Sequence, residues 1–191
     1  MSINPQQEHH TGNLSPEFAL LGFLISSPSH GYDLHQRFET ELGNVWHLSQ
    51  SQAYAILKRL ESRGDISSQL IEQSKLPVRQ KLRITAQGRR RFMDWLEGGV
   101  GKNARSIRLE FLTRLYFAQQ YEPDKTADIY TAQCTEIRAG IARLESQLER
   151  LPPGQSFNRL SLDLRLRQMK LIQEWMNEIK AQFHIIAEED A

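Results

Sequence analysis

The sequence predicts a mainly helical protein in two unlike halves, a head of short helices with a β-hairpin and a body of long helices. Three observations lead there. Between residues 15 and 64, apolar side chains recur at helical spacing in three short runs separated by proline, glycine and serine. Residues 66 to 85 switch to an imperfect alternation of apolar and polar side chains, the period of strands. Beyond a glycine-rich break at 98 to 101, apolar residues alternate spacings of four and three over long stretches. With 191 residues, 39% hydrophobic and 25% charged, the chain is large enough to bury a sizeable core.

In the head, Ser15, Pro16 and Glu17 read as a helix start: a capping hydroxyl, a proline at the first helical position and a carboxylate near the positive dipole end. This helix is expected from Pro16 to about Ile25, because Pro28 prevents its continuation. After SSPSHG, the stretch YDLHQRFETEL fits a second helix with Leu34, Phe38 and Leu42 on one face, ended by Gly43. Ser49 caps a third helix whose buried stripe is Ala53, Ile56, Leu57 and Leu60 and whose stop is Gly64. The opposite side of that helix offers Gln50, Ser51, Gln52, Lys58 and Arg59, with no acid among them.

ISSQLIEQ and VRQKLRIT, joined around Ser74 to Pro77, read as a two-stranded hairpin whose far strand places Arg79, Lys81 and Arg83 on one side. Thr85 caps a fourth helix through RRRFMDWLE, stopped by GGVG. Three helices, a hairpin and a return helix make a winged helix-turn-helix. The body then begins with SIRLEFLTRLYFAQQ as one helix ending near Pro123. From Lys125 to Leu151 a heptad seam runs through Tyr130, Cys134, Ile137, Ile141, Leu144, Leu148 and Leu151. PPGQ turns the chain, and a second seam follows at Leu162, Leu166, Met169, Ile172, Met176, Ile179, Phe183 and Ile186. An antiparallel helical hairpin results. Trp175, Leu164 and Leu171 exceed what one partner helix covers, so a second subunit is expected there. The divisions are a polar tail at 1–14, the head at 15–97 and a helical dimerisation domain at 102–187.

Net charge is only +1, but ten basic residues stand against three acidic ones between Ser49 and Arg91. Such asymmetry fits a surface that meets a polyanion. Arg89, Arg90 and Arg91 fall in the first turn of a helix, where positive charge is unfavourable, and a nearby phosphate would explain them. The first dozen residues lack the basic and apolar regions of a signal peptide, and the lone Cys134 suits a reducing compartment, so a cytoplasmic protein is expected. Cys134 at a seam position reads as packing rather than redox sensing. The histidines have no ligand spacing, and no metal or cofactor is expected. No enzyme is expected either: no nucleophile or acid–base pair assembles, and GGVGK lacks the Walker spacing. A helical adaptor that merely dimerises would explain the body and leave the basic head unexplained.

SHGYDL at 29–34, WHLSQSQAYAILKRLESRGDI at 46–66 and RITAQGRRRF at 83–92 together resemble the PadR family of bacterial transcriptional regulators. The family usually has an aromatic residue where this chain has Leu82. RLEFLTRLYFA and EWMNEI in the body are similar to the subgroup that includes a Vibrio virulence activator. The resemblance implies a homodimer, held by its C-terminal helices, that sets two winged heads on one imperfect inverted repeat of double-stranded DNA. Repression is the expected regulation, with activation as the alternative. Some family members bind flat aromatic compounds between subunits, so a small-molecule effector is compatible with the resemblance, although no polar constellation here identifies one.

On this reading the third helix enters the major groove. Gln50, Ser51 and Gln52 lie in its first turn, where Gln can pair with adenine and Ser with several bases, and Ala55 can meet a thymine methyl. Lys58 and Arg59 reach guanine or phosphate. Tyr54 either packs in the core or offers its hydroxyl to a phosphate. Lys75, Arg79 and Lys81 meet phosphates or the minor groove, or are simply a charged, protected edge. His30 and Tyr32 either border the DNA backbone or cap the second helix and pack under the wing. Trp46 and Trp95 read as core. The dimerisation contacts expected are Leu162, Leu166, Met169, Ile172, Trp175, Met176, Ile179 and Phe183.

Overall fold

The computed structural model describes residues 14–71 and 79–182. The head comprises α1 (Glu17–Ser26), β1 (Ser29–His30), α2 (Gly31–Leu42), α3 (Gln50–Ser62), β2 (Ile66–Ile71), β3 (Arg79–Ile84) and α4 (Ala86–Glu97). It is a winged helix with a mainly helical body behind it. The expected hairpin is present, with Ile66 opposite Ile84 and Gln69 opposite Lys81. Two features differ from expectation. A third strand, β1, joins the sheet on the other edge of β3 and makes the order β1-β3-β2. Ser15 is not the cap of α1: Leu20 N–H donates to the Pro16 carbonyl at 3.2 Å, so Pro16 itself is the cap residue, with no side-chain cap bond.

The end of α3 sets the head's electrostatics. Gly64 has φ +76°, a left-handed conformation that costs glycine little. Gly64 N–H donates to Glu61 and Asp65 N–H to Leu60, both at 2.9 Å, closing the Schellman pattern. This turn sends Asp65 inward, where it is 1% exposed. Gly88 makes the approach of α4 compatible with that position, because a Cβ there would lie 2.0 Å from the Asp65 carbonyl oxygen. A buried carboxylate needs a charged partner. Arg91 supplies it, donating to Asp65 Oδ2 at 2.7 Å and, through its other terminal nitrogen, to buried Glu17. Glu17 also attracts Arg63 at 3.4 Å and Arg59 at 3.6 Å. Arg91 therefore has an internal use and needs no phosphate, which corrects the expectation for the arginine triplet. Arg89 and Arg90 are exposed, and Arg89 reaches the Ile25 carbonyl at 3.4 Å.

Beyond the head, α5 (Ala104–Ser106), a π-helical turn (Ile107–Phe111) and α6 (Leu112–Tyr121) follow without a break. One regular helix was expected here, and the wider turn marks an extra residue in the ladder: Leu112 N–H donates to the Ile107 carbonyl, five residues back. The head's core takes Leu109, Phe117 and Ala118 from this segment. The Phe117 ring meets Phe23 of α1 edge-on at 5.3 Å and Phe92 of α4 at 5.4 Å, and Tyr121 donates to the Gly22 carbonyl at 2.9 Å. Burying rings of this size stabilises by about 2–3 kcal/mol each. Trp46 and Trp95 pack in the same core, as expected, with Trp95 stacked on Phe18 at 4.8 Å.

A 3-10 turn (Pro123–Lys125) leads into α7 (Thr126–Glu149), and α8 (Ser156–Gln182) returns against it. Tyr130, Ile137, Ile141 and Leu144 of α7 form a second core with Met169, Met176 and Ile179 of α8. Tyr130 donates to the Met176 carbonyl at 2.8 Å and pins the pair. The three α8 residues are thus covered by their own chain, which corrects the expectation that they face a second subunit. Leu162, Leu166, Ile172 and Trp175 are half-buried on the flank of the same core. Phe183 lies outside the described residues. The bare apolar side of α8 consists of Phe157, Leu160, Leu164 and Leu171, 86%, 63%, 57% and 66% exposed. Among the described residues no helix is long and apolar enough to cross a membrane.

Replacing Arg91 by Met leaves two buried carboxylates without their shared cation. Stability is expected to fall by about 3 kcal/mol in urea denaturation.

Candidate nucleic-acid interface

The third helix is built to start sharply. Ser49 Oγ accepts the Gln52 N–H at 3.3 Å while Gln52 Oε1 accepts the Ser49 N–H at 2.9 Å, a reciprocal capping box. The loop before it is held in three places. His35 Nε2 bonds the Leu48 carbonyl at 2.8 Å, Arg108 donates to the Val45 carbonyl at 3.0 Å, and the buried Trp46 indole N–H donates to Thr113 at 2.8 Å. With Ala53, Ile56, Leu57 and Leu60 buried, the face turned to solvent carries Gln50, Ser51, Gln52, Tyr54, Ala55, Lys58 and Arg59, all exposed. The face expected from the sequence is present and free of acids from Gln50 to Arg59; the exposed Glu61 follows at its C-terminal end, where it accepts from Ser68 of the wing.

Two of these side chains are less free than the pattern implied. Gln52 already serves the capping box through its carbonyl oxygen, which leaves its amide nitrogen for an outside partner. Arg59 leans towards Glu17 on α1, so part of the basic surplus is internal. Tyr54 is 46% exposed, and its ring lies against Gly31, where an added Cβ would sit 2.9 Å from the ring edge. It therefore borders the segment that carries His30 and Tyr32. His30 occupies the cap position of α2 without a side-chain cap bond; its Nδ1 pairs with the Gln80 carbonyl at 3.0 Å and ties α2 to the wing. Tyr32 is 52% exposed, and its hydroxyl accepts from Gln36 at 2.9 Å.

On the wing, the pairing register puts Ile66, Leu82 and Ile84 on the side of the core and Ser67, Gln69, Lys81 and Arg83 on the other. Leu82, 6% exposed, fills its core site without an aromatic ring. Arg83 is exposed and Lys81 half-buried. Arg79 opens β3 at the distal end of the pairing, and Lys75 lies outside the described residues. Ser67 and Gln69 escaped the sequence reading, since only the register shows that they share the face of Lys81 and Arg83. Arg108 and Thr113, which hold the loop of α3 from the body, escaped it as well, because nothing local marks a partner more than sixty residues away.

Residues 20–94, which span α1 to α4, match the model of the transcriptional regulator PadR-like family. Over these residues the chain is similar to that family. The chain is similar to the negative transcriptional regulator PadR of Bacillus subtilis, 27% identical over 135 residues that cover 71% of this chain and 74% of that one. Among solved structures, Bacillus subtilis PadR in complex with operator DNA is 25% identical, covering 87% of this chain and 96% of that one at a TM-score of 0.42. A PadR-like regulator from Bacillus cereus is 24% identical, covering 91% and 98% at 0.43. Transcriptional regulation is the PadR-like function, and it is not an enzymatic one.

Away from this face, no group of three His, Cys, Asp or Glu among the described residues is placed to hold a metal ion. Burial pushes the Cys134 thiol up, away from the reactive thiolate. Arg114, 6% exposed, donates to the Gly99 carbonyl and lies over the Trp95 ring at 5.1 Å; burial pushes its guanidinium down and Glu110 partly offsets this.

Ser49→Ala removes the cap of α3 and is expected to cost about 1 kcal/mol in urea denaturation. Ser51→Ala, one turn position away and outside the capping box, is expected to stay within about 0.5 kcal/mol of the parent.

Proposed function

We propose that this PadR-like protein is a sequence-specific DNA-binding regulator that represses transcription as a homodimer on an inverted repeat. The observation that carries the reading is the capped outer face of α3, free of acids from Gln50 to Arg59, standing beside a wing whose outer face is polar and basic. Gln50, Ser51, the free amide of Gln52 and Ala55 read base edges in the major groove, and Lys58 reaches guanine or phosphate. Lys81 and Arg83 of β3 meet the backbone or the minor groove. Tyr54, His30 and Tyr32, gathered around Gly31, border a phosphate path; Arg59 contributes after leaving Glu17. Repression is supported by the similarity to the negative transcriptional regulator PadR of Bacillus subtilis. In a strain lacking the gene, neighbouring transcripts are expected to rise, and a fall would make the protein an activator.

Dimerisation uses the bare side of α8. Phe157, Leu160, Leu164 and Leu171 follow spacings of three, four and seven, a single stripe opposite the one that α7 covers. Trp175 on the flank extends it. A second copy offers the same stripe and covers it symmetrically. A small-molecule effector would find a cavity of about 300 Å³ at the junction of head and body, lined by Leu96, Glu97, Gly99, Lys125, Asp128 and Ile129.

A gel shift on the promoter of the protein's own gene tests the reading, and equal affinity for promoter and random duplex overturns it. On the operator, Gln50→Ala is expected to cost about 1–3 kcal/mol without changing the salt dependence. Lys81→Ala weakens specific and random DNA alike, and flattens the slope of log affinity against log salt by about 0.9 per lost contact. Leu164→Asp with Leu171→Asp is expected to give a monomer in sedimentation and to weaken operator binding by at least about a hundredfold, as lost bivalency requires.

A further inference from the structure

The π-helical turn at Ile107–Phe111 has a geometric consequence for α3. In a regular α-helix, side chains five residues apart point about 140° away from each other. In a π turn the ladder closes five residues on, so positions i and i+5 stack as i and i+4 do in an α-helix. Arg108 and Thr113 are such a pair across this turn. They hold two neighbouring residues, one each: Arg108 Nη1 donates to the Val45 carbonyl at 3.0 Å, and Thr113 Oγ1 accepts the Trp46 indole N–H at 2.8 Å. The Thr113 hydroxyl gives its own proton to the Leu109 carbonyl at 2.6 Å, so its acceptor side is fixed towards Trp46. Val45 and Trp46 lie just ahead of Leu48 and the Ser49 cap of α3. With regular helical winding, one of the two grips would swing away.

We infer that Arg108 and Thr113 are positioning residues for DNA recognition, which grip Val45 and Trp46 across the π turn and so set the N-terminal end of α3 from the body of the protein. Arg108 is exposed, but its guanidinium is engaged on a protein carbonyl. Trp46 and Thr113 are buried, 7% and 1% exposed. The inference rests on the DNA-binding reading above and adds a path by which the helices behind the head govern the fit of the first turn of α3 in the groove.

The test uses the full chain with Thr113→Val, which keeps the shape and removes the acceptor, and Arg108→Ala at the surface. Each is expected to weaken binding to the promoter of the protein's own gene on the order of tenfold. Affinity for random duplex, the salt slope and the sedimentation of the dimer stay at parental values. Thr113→Ser, which restores the hydroxyl without the methyl, returns promoter affinity to the parent's. Hydrogen exchange at residues 45–52 quickens in Thr113→Val and Arg108→Ala and not in Thr113→Ser. Parental promoter affinity in both weakened variants overturns the inference whatever the exchange shows, as does an equal loss on promoter and random DNA. If the parent itself does not distinguish promoter from random duplex, the DNA-binding reading has failed; unchanged exchange at 45–52 then overturns the grip as well, and quickened exchange upholds it.

Discussion

The pair of carboxylates bridged by Arg91 is the constraint on which the head depends. Asp65 is buried because a left-handed glycine ends α3, and Glu17 is buried because α1 lies in the centre of the core. Leaving either charge unpaired is costly, so the three elements that carry Glu17, Asp65 and Arg91 can meet in one arrangement only. That arrangement fixes α3 at its C-terminal end. Its N-terminal end is fixed separately, by the bonds of His35, Arg108 and Thr113 to the loop at 45–48. A helix held at both ends presents its outer face as a rigid object.

Head and body are joined through aromatic packing rather than through a linker. Phe117 stands among the rings of α1 and α4, yet belongs to the segment that leads into the long helices. The glycine-rich break at 98–101 interrupts the helices without separating the cores, since Arg114 from the following segment returns to the Gly99 carbonyl. Movement in the body therefore reaches the head through packed side chains, which is the physical requirement for regulating one from the other.

What the sequence revealed is what local rules govern. The buried stripe of α3, its Ser49 cap, its Gly64 stop, the hairpin and the Thr85 cap of α4 all follow from residues within a few positions of one another. The features it hid depend on partners far along the chain. Arg91 looked like a surface cation because Glu17 lies 74 residues away. The strand β1 is two residues long and exists only by pairing with β3. The π turn leaves the apolar spacing of its segment helical, so periodicity does not register the extra residue. On α8 the sequence offered two apolar stripes and could not say which one α7 covers; the answer requires the packing of Met169, Met176 and Ile179.

The order β1-β3-β2 has a consequence for the wing's cations. Lys81 and Leu82 lie where three strands run side by side, so the backbone carrying Lys81 is bonded on both edges, whereas further out β3 has β2 alone for company. Ordering a backbone in a complex costs conformational entropy, on the order of 1–2 kcal/mol for each residue newly fixed. At Lys81 that cost is met when the protein folds. An ammonium group mounted on so stiff a base needs only its own stem to settle, and this preorganisation makes the root of the wing, more than its outer reach, the economical place to touch a duplex.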